Sequence, residues 1–489
     1  MFATHSQYPD DPLWGRVFSG GWRYSDAGSV DVIEPATGQR LTTVGVASVR
    51  DVELAGSLAA AAQPVWWALP YQERAAILRH AAGFLEENAD TFAAWITREI
   101  GAVRHKAERE VRFSAAILYQ AASMVTEPRG IVLPSNGSTI SFARRMPHGV
   151  VGVISPFNAP MILGMRAIAP ALAAGNTVMV KPDIRTPVTG GSLIATCLEA
   201  AGLPSGCLHV LPGGAEIGAA LCTDPNIAMI SFTGSTATGR RVAALAGEHL
   251  KKVSLELGGK NTLVILEDAD IEIAASNVRW AAWHYQGQVC MSAGRILVHE
   301  SRAAELVENL VARANELRVG DPVDPDVAIG PIIDERQLQR VHSIVKDTVA
   351  AGARLRAGGT YKRLFYRPTV LDGVRPGMRA FEEEIFGPVA SITPFADDDE
   401  AVALANQTDF GLSAGIISPS VGRAMALGSR LRTGMLHIND QTIGDEPQVP
   451  FGGCGASGNG SRVGGPANWE EFTQWQWLTI KDMAPGYPM

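Results

Sequence analysis

The chain has 489 residues, of which 46% are hydrophobic and 19% are charged. This length is too great for a single hydrophobic core and predicts two or three domains, while the composition is that of a large globular enzyme and excludes a disordered protein. The net charge of −8 and the lack of basic runs longer than a pair argue against nucleic-acid binding.

The cysteines and the N-terminal residues indicate the cellular compartment of the protein. Five cysteines are scattered without a CxxC pair or metal-ligand spacing, so we predict no disulfide framework, no metal site and a reducing, cytoplasmic location. Residues 1–14 lack the basic-then-apolar pattern of a signal peptide. The most apolar long window, 150–172, contains polar side chains and three prolines, so no segment is predicted to span a membrane.

The first long segment is predicted to be helical. Residues 52–124 are rich in alanine and carry apolar residues at three- and four-residue spacing. Residues 138–146 then alternate like an exposed strand, and the apolar run 150–154 predicts a strand buried on both faces.

Strand, turn and helix repeat from residue 150 onward. Alternation on this scale is typical of an α/β fold with a parallel sheet, whose ligands bind at the carboxyl ends of the strands. The predicted strands are 150–154, 177–180, 209–211, 228–232 and 253–255, and the predicted helices are one ending near 175, one over 187–202, a short one after 214 and one near 237–246.

A second α/β series begins after residue 259, where we predict a domain boundary. Its predicted strands are 262–266 and 295–299, and its predicted helices are 271–283, 301–319 and 335–352. The aromatic, alternating tail 472–480 is too short for a sheet of its own. We expect it to join another sheet together with residues 138–146, such as a sheet of a neighbouring subunit.

Cys290 is the first candidate for chemistry. It lies between small, uncharged residues in 286–292, just after the apolar segment 280–283. A thiol is a nucleophile only as its thiolate, which needs an electropositive or dipolar setting, and no neighbouring Lys or Arg supplies one. A buried, unreactive cysteine is the alternative interpretation of this segment alone.

Two polar side chains at strand ends are candidate partners of that thiol. Glu256 follows an apolar strand and precedes Leu257-Gly258-Gly259, where partial desolvation would raise its pKa toward that of a useful general base. Asn158 lies between two prolines and could donate to a developing oxyanion. A charged strand-end residue and an ordinary turn asparagine are the respective alternatives.

Cofactor contacts are predicted on two further loops. The strand–glycine–helix segment 232–239 offers glycine backbone and a helix N-terminus to a phosphate, although a plain tight turn has the same pattern. Lys181 ends a strand and could bind ribose hydroxyls or phosphate, or be a solvated loop lysine. Together these groups fit one reaction: a thiolate adds to an aldehyde, an amide stabilises the oxyanion, hydride passes to a nicotinamide, and a carboxylate activates water to open the thioester.

Seven ordered motifs resemble the aldehyde dehydrogenase superfamily over about residues 20–480. The resemblance implies an α/β fold with a Rossmann-like NAD(P)-binding domain (1–126 and 147–258), an α/β catalytic domain (259–455) and a small β oligomerisation flap with the C-terminal tail (127–146 and 456–489), in a homodimer or homotetramer. The motifs are Ser155-Pro156-Phe157-Asn158, Val180-Lys181-Pro182, Phe232-Thr233-Gly234-Ser235-Thr236, Glu256-Leu257-Gly258-Gly259-Lys260, Gly287-Gln288-Val289-Cys290, Glu383-Glu384-Ile385-Phe386-Gly387-Pro388 and Pro450-Phe451-Gly452-Gly453.

The resemblance also implies roles for single residues. Cys290 would be the nucleophile, Glu256 the general base, and Asn158 with the Cys290 N–H the oxyanion hole. The implied cofactor-binding residues are Ile154, Ser155, Pro156, Phe157, Lys181, Asp183, Gly214, Phe232, Gly234, Ser235, Leu257, Gly258, Glu384 and Phe386.

Closer features are similar to the benzaldehyde dehydrogenase branch, which implies oxidation of an aromatic aldehyde to its carboxylate. These features are 165–167, 181–186, 437–441 and 455–458. Oxidation of aliphatic aldehydes or semialdehydes, a CoA-acylating reaction and non-catalytic reuse of the fold are the alternatives. The implied substrate pocket consists of Ala159, whose small side chain leaves room for a ring, Ile162, Leu163, Arg166, His284, Val289, Met291 and Phe451.

Two departures from the superfamily concern the cofactor and the substrate. Many NAD-preferring relatives carry a glutamate three residues after the lysine, where this chain has Ile184. Without a carboxylate there, a 2′-phosphate would not be repelled, so NADP is left open beside the favoured NAD. The adjacent Arg185 could assist a 2′-phosphate or face away. Gly455 replaces the lysine of the C-terminal motif, which weakens the transfer of substrate contacts near that loop.

Overall fold

The structure, a computed structural model, describes residue 13 and residues 15–489. Four long helices follow two short antiparallel strand pairs, and the first of them begins at a capping box in which Ser48 and Asp51 each accept the other's backbone N–H. The elements up to residue 154 are β1 (Arg16–Ser19), β2 (Trp22–Tyr24), β3 (Ser29–Ile33), β4 (Arg40–Gly45), α1 (Val49–Ala68), α2 (Tyr71–Glu87), α3 (Ala89–Ile100), α4 (Arg104–Met124), β5 (Gly130–Val132), β6 (Ile140–Pro147) and β7 (Val150–Ile154).

The predicted alternation of strands and helices follows β7. The predicted helix 187–202 begins as a π-helical turn, Val188–Ser192, at which the buried carboxylate of Glu99 accepts the N–H groups of Val188 and Thr189. The elements of this series are α5 (Pro160–Ala173), β8 (Thr177–Lys181), α6 (Leu193–Ala200), β9 (Leu208–Val210), α7 (Ala215–Thr223), β10 (Ile227–Thr233), α8 (Thr236–Glu248) and β11 (Lys252–Glu256).

The first large sheet is parallel at its centre. β11, β10, β7, β8 and β9 lie side by side in that order, and β1 and β2 continue the sheet antiparallel. β7 and β8 are buried at every position, as their continuous apolar runs predict. The register aligns Ile154 with Lys181 and with Phe232, and Thr233 with Glu256. The carboxyl ends of these strands therefore share one edge.

The second α/β series forms another large sheet. The predicted helix 301–319 ends at Glu316, before a short bridge between Val319 and Ile329. The elements are β12 (Asn261–Ile265), α9 (Ile271–Trp283), β13 (Ala293–His299), α10 (Glu300–Glu316), α11 (Glu335–Ala350), β14 (Arg354–Ala357), β15 (Tyr361–Lys362), β16 (Phe365–Tyr366), β17 (Thr369–Asp372), α12 (Arg379–Glu382), β18 (Val389–Phe395), α13 (Asp398–Asn406), β19 (Phe410–Gly411), β20 (Ser413–Ile417), α14 (Val421–Gly428), β21 (Met435–Ile438), β22 (Cys454–Gly455), α15 (Ala467–Phe472) and β23 (Thr473–Ile480).

The strand order of this second sheet is β14-β17-β18-β13-β12-β20-β21, and β14 alone among them runs antiparallel within the described chain. Its apolar core includes Leu263, Ile296 and Ile392, packed against α9 and α10. The segment 257–260 leads from the last strand of the first sheet to the first strand of the second. The domain bounds themselves stay a prediction.

A small three-stranded sheet holds the tail. β23 pairs with β6 over eight residues, from Thr473 opposite Pro147 to Ile480 opposite Ile140, and β5 covers the other side of β6. The tail and residues 138–146 therefore share one sheet, as expected, and they pair with each other within the chain. The continuation of this sheet into a neighbouring subunit stays a prediction. Among the described residues, none of the helices has both the length and the apolar character of a membrane span.

Candidate active site

Four loops of the first sheet open toward one cleft. Because Ile154, Lys181, Thr233 and Glu256 end neighbouring parallel strands, the segments that follow them meet at the carboxyl edge of the sheet. Asn158 lies on the first of these loops, between β7 and α5. The candidate residues were predicted to lie on loops that follow strands. The pairing of the strands brings the candidate residues of the first sheet to the same edge.

The loop that carries Cys290 has an unusual backbone. Tyr285, Gln286 and Gly287 adopt left-handed conformations, with φ of 48°, 55° and 64°. The buried amide of Gln286 donates to the carbonyl oxygens of Gly101 (2.8 Å) and Pro331 (3.0 Å), and Gln288 Oε1 accepts from the N–H of Ile333 (3.1 Å). These bonds hold a strained turn in one conformation, as is common at functional sites.

The segment after Glu256 forms one wall of this loop. A Cβ added at Gly259 would lie 2.6 Å from the carbonyl oxygen of Cys290, so only glycine allows this approach. Asn261 Nδ2 donates to the carbonyl oxygens of Cys290 (2.7 Å) and Ser292 (2.8 Å). The strand end that carries the acid and the loop that carries the thiol are thus packed directly against each other.

Cys290 is half-buried. Burial, with the charges of Glu384 and Glu256, raises the pKa of its thiol to about 12 against the pull of Arg166. The isolated chain therefore stabilises the protonated thiol, and formation of the thiolate needs a base or a bound positive charge.

Glu256 is buried at 6% exposure, and neither of its carboxylate oxygens has a hydrogen-bond partner among the described residues. Burial raises the pKa of this carboxyl well above 4.5, while Arg166 and Arg462 oppose the rise. Its Oε1 lies 2.8 Å from the place that a Cβ would occupy at Gly452. A carboxyl group in this state is suited to take a proton near neutral pH.

Asn158 is buried, and its backbone carbonyl oxygen accepts a hydrogen bond from Lys106 Nζ at 3.0 Å. Its side-chain amide makes no hydrogen bond with any residue that the structure describes. The backbone of this residue is therefore fixed while its amide is left for a ligand.

The charged side chains of residues 181–185 are engaged by other groups of the protein. Lys181 is buried and donates to the carbonyl oxygen of Pro182 at 2.8 Å. Both carboxylate oxygens of Asp183 accept from Arg185 at 2.8 Å, and Arg185 also pairs with Asp334 at 2.8 Å. Ile184 is half-buried between them. Asp183 is thus committed to Arg185, which leaves the Asp183 side chain a poor hydrogen-bond acceptor for a cofactor.

Glu384 and Phe386 lie in the turn 383–388, which leads into β18 of the second sheet. Glu384 Oε1 accepts the N–H of Gly259 at 3.0 Å, and its other oxygen lies against Gly258; burial raises the pKa of this carboxyl to about 6. Phe386 has a left-handed backbone (φ 56°), and its ring meets the ring of Phe157 edge-on at 5.8 Å. Both predicted residues therefore border the strand-end loops.

The phosphate-loop candidates lie at helix starts. Ser235 caps the thirteen-residue helix α8 by accepting from the N–H of Thr238, and Gly234 lies against the ring of Phe232. Leu257 packs on α8 at Gly239, and Gly214 is the N-cap of α7. Ser155 Oγ is buried without a partner among the described residues, beside the half-buried Pro156. An unpartnered hydroxyl and the N-terminus of a thirteen-residue helix at one edge fit a dinucleotide.

The predicted substrate residues divide into two groups. Ile162, Val289, Met291 and Phe451 belong to the same apolar cluster as Cys290. Leu163 is half-buried and outside that cluster as far as the described residues show, and Ala159 is half-buried just before α5.

Two polar side chains complete the predicted substrate residues. Arg166 forms a buried ion pair with Asp445 and lies 4.4 Å from the centre of the Phe451 ring. His284 stacks on Trp280 at 4.2 Å. Burial, together with His105 and Lys106, lowers the pKa of His284 to about 3, so it is neutral.

Comparison with known proteins decides the family. The sequence model of the aldehyde dehydrogenase family matches residues 22–478. The chain belongs to the aldehyde dehydrogenase family. The enzyme is 50% identical over 481 residues to a vanillin dehydrogenase of Amycolatopsis sp. and 48% identical over 481 residues to the benzaldehyde dehydrogenase [NAD(+)] of Pseudomonas putida, in both cases over 98% of this chain and 99% of the relative.

Solved structures agree with this assignment. A salicylaldehyde dehydrogenase from Pseudomonas putida G7, in complex with salicylaldehyde, superposes on the enzyme with a TM-score of 0.93 at 34% identity, covering 97% of this chain and 99% of that one. The predicted superfamily and the predicted fold are confirmed.

Several residues of the enzyme's cleft were not predicted from the sequence. Lys106 and Glu110 contact the Asn158 loop, Asn261 holds the Cys290 loop, and Asp445 pairs with Arg166. An i,i+4 Lys–Glu pair on a helix usually indicates a solvent-exposed face, so nothing in the sequence marked it as buried. Asn261 directly follows the motif 256–260. This position is the one sequence signal that could have identified it as a residue of the site.

Proposed function

We propose that the enzyme oxidises an aromatic aldehyde of the benzaldehyde type to its carboxylic acid with NAD(P). The observation that carries this proposal is the contact between the Cys290 loop and the segment after Glu256, whose carboxylate is buried without a partner in the described structure. The aromatic character of the substrate is inferred from relatives named for vanillin, benzaldehyde and salicylaldehyde. The packing of Cys290 against an apolar core agrees with it.

The reaction begins with Cys290. Its thiolate adds to the aldehyde carbon and forms a hemithioacetal, while the Asn158 amide and the Cys290 N–H donate to the carbonyl oxygen as negative charge develops. A nicotinamide cofactor would supply the hydride acceptor for the oxidation of this hemithioacetal to a thioester on Cys290. Lys181, Glu384, Phe386 and the start of α8 are the proposed residues that hold this cofactor.

Glu256 acts on the thioester. Its carboxylate takes a proton from a water molecule as the water oxygen attacks the thioester carbon, and the acid leaves while Cys290 is regenerated. The raised pKa of Glu256 makes it a stronger base than an ordinary glutamate. This role separates the enzyme from a CoA-acylating relative, which would need no such base.

We propose NAD as the preferred cofactor. Arg185 is engaged by Asp183 and Asp334 and so is not free for a 2′-phosphate, while the charges of Asp183 and Glu216 both act on Lys181. A phosphate placed beside these carboxylates would be repelled. We expect kcat/KM for NAD to exceed that for NADP by at least about 10-fold, which corresponds to about 1.4 kcal/mol. Steady-state kinetics with both cofactors would measure this ratio.

We also propose a cytoplasmic homodimer or homotetramer. All five cysteines are free, which is typical of a reducing compartment. On the three-stranded sheet, Trp475 and Trp477 are 48% and 72% exposed and Val132 is 84% exposed. An apolar surface of this kind is usually covered by another subunit.

The reaction is tested with purified protein, each cofactor, benzaldehyde, its hydroxylated and methoxylated derivatives, and aliphatic aldehydes. We expect reduced cofactor to form fastest with the ring-bearing aldehydes, without CoA, and not at all with Cys290→Ala. A strict need for CoA, or no signal with any aldehyde, would show the proposal to be wrong, and a preference for aliphatic aldehydes would restrict it to the general reaction.

A further inference from the structure

Lys106 connects two loops of the active site. Its side chain extends from α4 at 8% exposure, and its ammonium donates to the Glu110 carboxylate and, at 3.0 Å, to the backbone carbonyl oxygen of Asn158. The same ammonium lies 4.2 Å from the centre of the Tyr285 ring. One buried cation thus contacts both the loop of the oxyanion donor and the loop of the nucleophile.

Glu110 completes the hold on the Asn158 loop. Its side chain is fully buried, with Oε2 bound by Lys106 and Oε1 accepting the N–H of Met161 at 2.9 Å. The pair therefore fixes the carbonyl of residue 158 and the amide of residue 161, on either side of Ala159 and Pro160. Fully satisfied buried polar groups of this kind specify a single geometry.

Tyr285 connects Lys106 to the loop that carries Cys290. It lies five residues before Cys290 in the left-handed conformation, and its hydroxyl donates to the carbonyl oxygen of Ile100 at 3.3 Å. The Lys106 ammonium over its ring adds a cation–π interaction that a low-dielectric interior strengthens. A shift of Lys106 would therefore be felt on both sides of the reacting carbonyl.

We propose that Lys106, supported by Glu110, is a positioning residue that sets the Asn158 amide relative to the Cys290 thiol. The inference rests on the proposed function, in which Asn158 donates to the oxyanion. In this role Lys106 acts through its contacts with Glu110, the Asn158 carbonyl oxygen and the Tyr285 ring. A displacement of about 1 Å at a reacting group can reduce the rate by about 100-fold, which is why an ion pair beneath the loop matters to catalysis.

The experiment is a double-mutant cycle on kcat with Lys106→Met, Asn158→Ala and both together. We expect Asn158→Ala to lower kcat by about 100- to 1,000-fold and Lys106→Met by about 10- to 100-fold. The loss in the double variant should be well below the product of the two single losses, because the part of the Lys106 effect that acts through the Asn158 amide is already missing. KM for NAD should stay unchanged in Lys106→Met, and Lys106→Arg should recover part of the rate.

Lys251→Met is the matched control. Lys251 also donates to two backbone carbonyls, those of Asp224 and Ile227, but these lie away from Cys290 and Asn158, so kcat should not change. If the unpaired Glu110 carboxylate prevents Lys106→Met from folding, the pair Lys106→Met, Glu110→Gln removes the charge and keeps an acceptor for Met161. Thermal unfolding checks each variant.

The outcomes separate the two ideas. Losses that multiply in the double variant, or a Lys106→Met enzyme with normal kcat, would overturn the positioning role and leave the proposed function intact. A normal kcat in Asn158→Ala would instead refute the oxyanion role of Asn158, and the positioning role with it.

Discussion

The burial of Glu256 lowers the stability of the fold and makes its carboxylate a stronger base. Its carboxylate is buried and lacks hydrogen-bond partners among the described residues. Burial of an unpaired ionisable group lowers stability, because the charged form is held in a medium that solvates it poorly. The same burial raises the pKa of the carboxyl, which makes it a better base.

The stability cost predicts a pH-dependent effect of Glu256→Gln. Because the folded-state pKa lies well above 4.5, the folded protein holds a proton that the unfolded chain has lost, and stability falls as pH rises from about 4.5 toward the folded pKa. Gln carries no such penalty. We expect Glu256→Gln to raise the thermal midpoint, by an amount that grows between about pH 5 and about pH 8. An equal effect at both pH values would contradict this account.

The catalytic role predicts a kinetic signature for the same variant. Glu256→Gln should still form the thioester but hydrolyse it about 100-fold more slowly or worse, because the base that activates water is gone. Stopped-flow absorbance should show a burst of reduced cofactor near one equivalent per site, followed by a slow phase. Cys290→Ala, which cannot form the thioester, should show no burst. Equal loss of both phases in Glu256→Gln would exclude the proposed role.

The nucleophile loop is defined by its backbone more than by its side chains. Gly287 has φ of 64°, and a Cβ there would overlap the carbonyl oxygen of Gly387 in the turn that carries Phe386. The Cys290 loop and the cofactor-binding turn can therefore lie in contact only if residue 287 is glycine.

This close contact predicts a large effect of Gly287→Ala and a small one of Gly373→Ala. Gly373 has a similar φ of 70° but no atom within 4 Å of an added Cβ. Gly373→Ala should cost about 1 kcal/mol of unfolding free energy from backbone strain alone and keep its kcat. Gly287→Ala must also displace the loop, so kcat should fall by about 100-fold or more. Comparable kcat values for the two variants would refute the packing argument.

At the scale of the whole molecule, the C-terminal tail and the strands β5 and β6 form one three-stranded sheet. β23 gives β6 its antiparallel partner along eight residues, and residues 481–489 beyond it are exposed. The exposed tryptophans of β23 lie on this small sheet, away from both large ones. If the sheet is the oligomerisation flap, assembly depends on β23 and not on the residues after it.

Truncation tests this dependence. Removal of residues 473–489 should convert the oligomer to smaller or aggregated species, because the proposed interface strand is lost and the exposed edge of β6 can pair with other chains. Removal of residues 481–489 alone should leave the mass unchanged. Size-exclusion chromatography with light scattering measures both. The same mass for the two truncations and the parent would exclude the sheet from the interface.

Much of this architecture can be predicted from local sequence. The continuous apolar runs at 150–154 and 177–180 predict buried parallel strands, and the structure has them, because a strand covered on both faces has no polar side to alternate. The helix 271–283 is present with the predicted bounds. The order of the motifs was enough to predict the family, because each motif is a local pattern of residue types that can be read without the fold.

Only the tertiary structure decided which groups meet. Lys106 lies 52 residues from Asn158 in the chain, and Arg166 lies 279 residues from Asp445, so no local pattern could pair them. The pairing of β23 with β6 within one chain, and the engagement of Arg185 by Asp183 and Asp334, are decided in the same way. Sequence by itself determined the elements and the reaction class, because those depend on periodicity and residue type. Long-range packing decided the burial, charge and contacts of each side chain, because they depend on what the fold places beside it.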